Sequence, residues 1–138
     1  MDTTVSAAIR DCARASAEGR ISFGEVVGKL AAAGVERYAV DYVRGETVYY
    51  LPDGSLEAVP LSVHELPADA FSAAGVAAAV HGAQSGRLTY PAFCREVLAA
   101  GCTGYLVSLA GRRVVYSGRR GDSHVEWFPG AGPSGEPT

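Results

Sequence analysis

The feature that most constrains the fold of this chain is an internal repeat. When the sequence is displaced by 67 positions, residues 19–49 align with residues 86–116 without a gap. The nine identical pairs are Gly19 with Gly86, Arg20 with Arg87, Ala32 with Ala99, Ala33 with Ala100, Gly34 with Gly101, Tyr38 with Tyr105, Val40 with Val107, Val48 with Val115, and Tyr49 with Tyr116. These matches fall where helix ends and strands demand particular residues, so we predict a duplication. Two units, at about 3–60 and 69–129, then form a single domain, 1–129.

Each unit begins with two predicted helices. In the second of these helices, Ser22 and Glu25 have the spacing of a capping box, in which each side chain binds the backbone amide of the other. Thr89 is expected to open the matching helix of the second unit in the same way. Apolar residues recur at helical spacing in both helices, and Gly34 and Gly101 are expected to end them.

After these helices the apolar period changes to two, which predicts strands. Turn sequences such as Pro52-Asp53-Gly54-Ser55 divide each unit into three strands. The predicted class is therefore α+β, with two helix-helix-strand-strand-strand units. Their antiparallel meanders pack against the helices about a pseudo-twofold axis. Whether the six strands form one sheet stays open at this point.

Composition narrows the classes of function. The chain has 138 residues, of which 48% are apolar, and a formal net charge of −3. This charge argues against binding of nucleic acid or an anionic membrane through bulk electrostatics. We expect a cytoplasmic protein, because the first residues lack the pattern of a signal peptide. Three cysteines without paired spacing predict reduced thiols, and residues 130–138 are expected to form a disordered tail.

The last strand differs most between the two units and indicates a candidate site. On a strand, Asp122, His124 and Glu126 share one face, while Val125 and Trp127 share the other. A carboxylate beside an imidazole can orient a general acid or base, so the first three are candidate catalytic residues. Two alternatives stay open. The three polar residues can form a solvated outer face while Val125 and Trp127 pack inward, or they can bind a divalent metal ion. Metal ligands seldom all come from one strand, so neither a metal nor another cofactor is predicted.

Arginines in the predicted turns of the second unit are candidate anion ligands. Arg119 and Arg120 lie between glycines, and Arg112 lies in the preceding turn. Guanidinium groups and exposed backbone amides suit a phosphate or a carboxylate. An ordinary solvated hairpin tip has the same kind of sequence and remains the alternative.

Four tyrosines recur symmetrically in the two units. Tyr38, Tyr49, Tyr105 and Tyr116 are expected to pack between the layers with their hydroxyl groups hydrogen-bonded to the backbone. If they line a central groove, Tyr38, Tyr105 and Tyr116 can bind a planar ligand. Cys102 is expected to be a small core residue rather than a nucleophile.

Several stretches of the chain resemble one known family. They are Ala33-Gly34-Val35-Glu36-Arg37-Tyr38-Ala39-Val40-Asp41, Gly101-Cys102-Thr103-Gly104-Tyr105, Gly111-Arg112-Arg113-Val114-Val115-Tyr116 and Gly118-Arg119-Arg120-Gly121-Asp122-Ser123-His124-Val125-Glu126. They resemble the YbcV-like family, a bacterial and prophage-associated domain of unknown function that is sometimes labelled phage-envelope-like. The resemblance covers residues 5–129, and its most specific element is the closing Gly-Asp-x-His-x-Glu-x-Phe-Pro pattern. It implies a compact stand-alone α+β protein without an established reaction.

These observations predict a binding or interaction module for a small anionic ligand or a protein partner. The alternative is a small cofactor-free hydrolase or isomerase with His124 as the base, oriented by Asp122 or Glu126. In that alternative the turn arginines counter the developing negative charge. Neither nucleic acid nor a membrane is an expected partner, and the oligomeric state is not predicted.

Overall fold

The computed structural model describes residues 1–132, and within them the chain forms four helices and a six-stranded antiparallel sheet. In chain order the elements are α1 (Thr3–Ala17), α2 (Phe23–Ala32), β1 (Arg37–Asp41), β2 (Glu46–Tyr50), β3 (Leu56–Pro60), α3 (Ala73–Gln84), α4 (Tyr90–Ala99), β4 (Cys102–Ser108), β5 (Arg113–Gly118) and β6 (Ser123–Trp127). The predicted α+β class is confirmed. Most of the predicted disordered tail, residues 133–138, lies outside the described residues.

The starts of α2 and α4 show how local sequence sets a helix terminus. The capping box of α2 is present: Ser22 Oγ accepts from the Glu25 amide at 3.2 Å, and the Glu25 carboxylate accepts from the Ser22 amide at 3.0 Å. The prediction for α4 is wrong in one respect, because the Thr89 side chain makes no capping hydrogen bond. Ala92 stands where α2 has Glu25, so the reciprocal bond is missing, and Pro91 already removes one amide that a cap would satisfy.

The six strands form one sheet in the order β3-β2-β1-β4-β5-β6. Each half of the chain supplies one three-stranded meander, and the two meanders meet where β1 pairs with β4. In this central ladder, Ala39 lies opposite Leu106 and Val40 lies opposite Tyr105. The pairing of β1 with β4 therefore answers the question that the sequence left open.

The helices cover one face of the sheet, which we call the inner face. Buried and more exposed residues alternate along the strands, as Tyr38 and Val40 on β1 and Val114 and Tyr116 on β5 illustrate on the buried side. The core lies between these residues and the buried sides of the helices. Among residues 1–132, no helix is long and apolar enough to cross a membrane.

The helices α2 and α4 pack to different extents. The larger buried set belongs to α4 and comprises Phe93, Cys94, Val97 and Leu98. On α2 only Leu30 is buried, and Phe23 at its start is 40% exposed. Gly24 and Gly28 lie on α2 and bring no side chain to pack. The start of α2 is consequently less tightly packed than that of α4, and an open space remains beside it.

Gly104 and Gly28 offer a matched test of packing in the central ladder. A Cβ atom at Gly104 would lie 2.2 Å from the Val40 carbonyl oxygen, whereas a Cβ atom at Gly28 would meet nothing within 4 Å. Gly104→Ala should therefore lower the free energy of unfolding by about 1–3 kcal/mol. Gly28→Ala, within α2, should raise it by about 0.5–1 kcal/mol. Chemical denaturation measures both, and a Gly104→Ala variant as stable as the wild type would contradict the close approach of β1 and β4.

Candidate functional site

A cavity of about 600 Å³ lies between the helices and the inner face of the sheet. Its walls come from the second half of α1, the starts of α2 and α4, the end of α3, and strands β1, β2, β4 and β5. It also reaches Val59 on β3 and Glu126 on β6. Binding pockets for small organic molecules have volumes of roughly 300–1,000 Å³, so this cavity has a suitable size.

Aromatic rings form the sheet side of the cavity. Tyr38 and Tyr49 are cross-strand neighbours with ring centres 5.3 Å apart, and Tyr105 and Tyr116 form the matching pair at 5.2 Å. Phe93 of α4 packs edge-on against the second pair. The structure therefore brings together Tyr38, Tyr105 and Tyr116, which the sequence analysis proposed as ligand-binding residues, in the wall of one cavity.

The expectation that the hydroxyl groups of these tyrosines bond to the backbone is wrong for the described residues. Tyr105 and Tyr90 form a hydroxyl-to-hydroxyl hydrogen bond of 2.9 Å. Within residues 1–132, the hydroxyls of Tyr38, Tyr49 and Tyr116 form no hydrogen bond. Burial raises the pKa of all three well above the ordinary value for tyrosine. Each of the three is therefore a neutral group that can donate a hydrogen bond to a bound molecule.

His124 and Glu126 lie on the inner face of β6. Their Nε2 and Oε2 atoms are 2.5 Å apart, and their side chains are 24% and 23% exposed. The register explains this orientation, because His124 lies opposite Tyr116 and Glu126 opposite Val114, both of which are buried. Val125 is 39% exposed on the other face. The alternative in which Val125 and Trp127 pack inward beneath a solvated polar face is therefore wrong for Val125, whereas Trp127 is partly buried and contributes to the cavity wall.

Asp122 does not join this pair. It lies in the turn before β6, where its side chain is exposed and its backbone carbonyl accepts a hydrogen bond from the Gly118 amide at 2.9 Å. Only two of the three candidate catalytic residues are brought together. Of these two, Glu126 lines the cavity, and His124 holds its carboxylate from the side.

The corresponding position in the first meander shows why His124 is available to Glu126. Glu57 lies opposite Tyr49 as His124 lies opposite Tyr116. Glu57 is held by α1, through a 2.9 Å hydrogen bond from Ser6 and an ion pair with Arg10. The residues displaced by 67 positions from Ser6 and Arg10 are both alanines, at positions 73 and 77. The helix α3 therefore offers no such partner to His124.

Two of the three turn arginines contact the segment that links the two halves. Arg119 donates to the Pro67 carbonyl at 2.5 Å, and Arg120 donates to the carbonyl and carboxylate of Asp69 at 2.9 and 2.8 Å. Arg112 is exposed in the β4–β5 turn with a positive φ of 55°. The structure thus keeps these three candidate anion ligands away from the tyrosines.

Sequence reasoning missed the arginines that do lie along the cavity. Arg10 and Arg14 on α1 and Arg20 after it contribute to its walls. Their side chains are more than half exposed, and each pairs with a carboxylate, as Arg14 does with Asp11 at 3.4 Å. A helical spacing of four between residues 10 and 14 places both on one helix face, which was the available signal.

The cysteines lie in the core. Cys12, Cys94 and Cys102 are buried and unpaired. Burial raises the pKa of Cys102 to about 11, which keeps its thiol protonated. Within residues 1–132, no three histidine, cysteine or carboxylate side chains are grouped closely enough to hold a metal ion.

No protein-family model matches this chain, and no curated protein is similar enough to count as a match. The site is therefore interpreted from its own geometry and chemistry.

The buried tyrosines and Cys102 predict a loss of stability in alkaline solution. Burial raises the pKa of six tyrosines, namely Tyr38, Tyr42, Tyr49, Tyr90, Tyr105 and Tyr116. The unfolded chain loses these protons first as the pH rises, so the folded state is favoured fully only below the ordinary values of 9.0 for cysteine and 10.0 for tyrosine. The free energy of unfolding should fall above about pH 9, as measured by urea denaturation. Tyrosinate absorbance equivalent to more than one of the seven tyrosines, appearing near the ordinary tyrosine pKa and before unfolding, would contradict the burial of these six rings.

Proposed function

We propose that the protein binds a small molecule with a planar, largely apolar body and an anionic group, and that the cavity between helices and sheet is the binding site. The single observation that carries this proposal is the 600 Å³ cavity walled by Tyr38, Tyr49, Tyr105 and Tyr116. Aromatic rings stack favourably against planar ligands, and a few polar groups at the edge of an apolar pocket orient them.

The charges around the cavity support an anionic group on the ligand. Arg10, Arg14 and Arg20 lie along the side formed by α1 and the loop after it. An exposed guanidinium group can exchange its present carboxylate partner for a ligand carboxylate, sulfonate or phosphate at little cost. Glu126, on β6, disfavours an anion at its own part of the wall and so favours one orientation of the ligand.

We also propose that the two halves arose by duplication and pair about a pseudo-twofold axis. The repeated element order, the central β1–β4 ladder and the matching tyrosine pairs support this interpretation. We further propose that the chain is a member of the YbcV-like family, which its sequence motifs support. We propose a cytoplasmic location as well, which three buried thiols without a disulfide support.

A change that fills the cavity should abolish binding of an aromatic anion. Ala13 of α1 lines the cavity, while Ala7 on the same helix is exposed and lies away from it. We expect wild type to bind anilinonaphthalene sulfonate with about 1:1 stoichiometry in a fluorescence titration. Ala13→Trp should weaken binding at least about tenfold, which corresponds to about 1.4 kcal/mol, whereas Ala7→Trp should leave it unchanged. Equal binding by the two variants would exclude the cavity as the site.

The role of the arginines is tested separately. Arg14 lines the cavity, and Arg44 is an exposed arginine in the β1–β2 turn, away from it. Arg14→Gln should weaken the sulfonate about two- to fivefold, the range expected for one exposed charge pair, and Arg44→Gln should not. If both variants bind as wild type does, the ligand is recognised by its apolar body alone.

A second candidate function is supported by one specific observation, the 2.5 Å contact between His124 and Glu126 beside the cavity. An imidazole held by a carboxylate is the arrangement of a general acid or base, which makes a small hydrolase the alternative function. In this candidate the ring of an aromatic ester occupies the cavity, and His124 activates water at its edge.

Hydrolysis of nitrophenyl acetate tests this alternative. The rate of hydrolysis in excess of the rate in buffer should be at least about 100-fold lower for His124→Gln than for wild type, because this is the usual contribution of a general base. Asp122→Asn, in the adjacent turn, is the matched control and should retain the wild-type rate. If the hydrolysis rate of wild type does not exceed that of His124→Gln, the protein is not an ester hydrolase that uses His124.

A further inference from the structure

The sheet face opposite the helices, here called the outer face, is not covered by any described element. One residue from each strand lies opposite the next across the whole sheet, which produces a single row at the middle of the strands. This central row consists of Ala58, Val48, Ala39, Leu106, Val115 and Val125. All six are apolar, and Leu106 and Val125 are 37% and 39% exposed. A continuous apolar row on an open face is typical of an interaction surface.

Charges of opposite sign lie on the two sides of the central row. On one side, the Arg37 guanidinium lies 3.9 Å from the centre of the Tyr50 ring. On the other side, Asp41 and Glu46 lie opposite each other at the ends of β1 and β2. Arg37 and Asp41 are both on β1, four residues apart, with Ala39 of the central row between them. The face therefore carries complementary groups at equal distances from its own midline.

We propose that the outer face binds a second copy of this chain, with the twofold axis along the central row. A 180° rotation about this axis places each residue of the central row against the same residue of the partner subunit. It also places the Arg37 side of one subunit against the Asp41 side of the other. Arg37 then faces Asp41 of the partner subunit, and the Tyr50 hydroxyl faces Glu46 of the partner subunit. The symmetry produces each contact twice.

The geometry of sheet packing agrees with this arrangement. Two sheets pack face to face about 10 Å apart, with strand directions within about 30° of each other. Because β1 and β4 are the central strands, such a rotation displaces Arg37 and Asp41 less than residues at the sheet edges. Six strands spaced about 4.8 Å apart, each about five residues long, give each subunit roughly 500 Å² of projected sheet area. This size is at the lower end for specific interfaces and corresponds to a dimer that dissociates on dilution.

Sedimentation equilibrium between about 1 µM and 1 mM tests the proposal. Wild type should approach twice the chain mass of 14.3 kDa as its concentration rises. Leu106→Asp places a charge in the central row and should reduce the mass to that of one chain. The matched control is Leu66→Asp, because Leu66 is 78% exposed in the link between the two halves and lies off the sheet. A wild type that stays monomeric, or a Leu106→Asp variant that still dimerises, would overturn the proposal.

A charge change tests the specific orientation. Arg37→Asp should weaken the dimer at least about tenfold, because it brings like charges together at two symmetric positions. Adding Asp41→Asn removes this repulsion and should recover at least about threefold in affinity. Asparagine keeps the oxygen with which Asp41 accepts the amides of Val43 and Arg44, so the turn is preserved. Adding Asp53→Asn, in the β2–β3 turn, changes the net charge equally and should recover nothing. Equal recovery by the two double variants would exclude this twofold arrangement, and circular dichroism establishes that every variant is folded.

Discussion

The pairing of β1 with β4 is the contact on which the rest of the structure depends. It joins two three-stranded meanders into one sheet and places Val40 opposite Tyr105 in its centre. The approach is close enough that Gly104 leaves no room for a Cβ atom next to the Val40 carbonyl. Because the two tyrosine pairs belong to different meanders, only this ladder makes them parts of one cavity wall. The same ladder aligns the apolar row on the opposite face, so both proposed binding surfaces depend on it.

The two faces of the sheet differ in their chemistry for a physical reason. The inner face is covered by helices, and its ionisable groups Glu57, His124 and Glu126 all have polar partners. Its phenol groups stay neutral because burial disfavours the phenolate. The outer face is open, and its charged groups flank an apolar row. A small molecule suits the enclosed inner surface, whereas the flat outer surface suits another sheet.

Much of the local structure could be predicted because the forces involved act over a few residues. The capping box of Ser22 and Glu25, the helix-ending glycines and the alternation through Tyr38 and Val40 are all of this kind. The candidate site was predicted only in part. Tyr38, Tyr105 and Tyr116 meet in one cavity, but Arg119 and Arg120 contact residues 52 and 51 positions earlier in the chain. No local pattern contains a contact at such a separation.

The sequence by itself determined the order of helices and strands, the apolar side of most of them, and the residues that distinguish β6 from β3. Tertiary structure alone decided that the meanders share one sheet, that the start of α2 leaves a cavity open, and that His124 points inward with Glu126 rather than outward with Asp122. A side chain on a strand can face either layer, and periodicity is the same in both cases. Only the register against β5, which pairs His124 with Tyr116, selects the face.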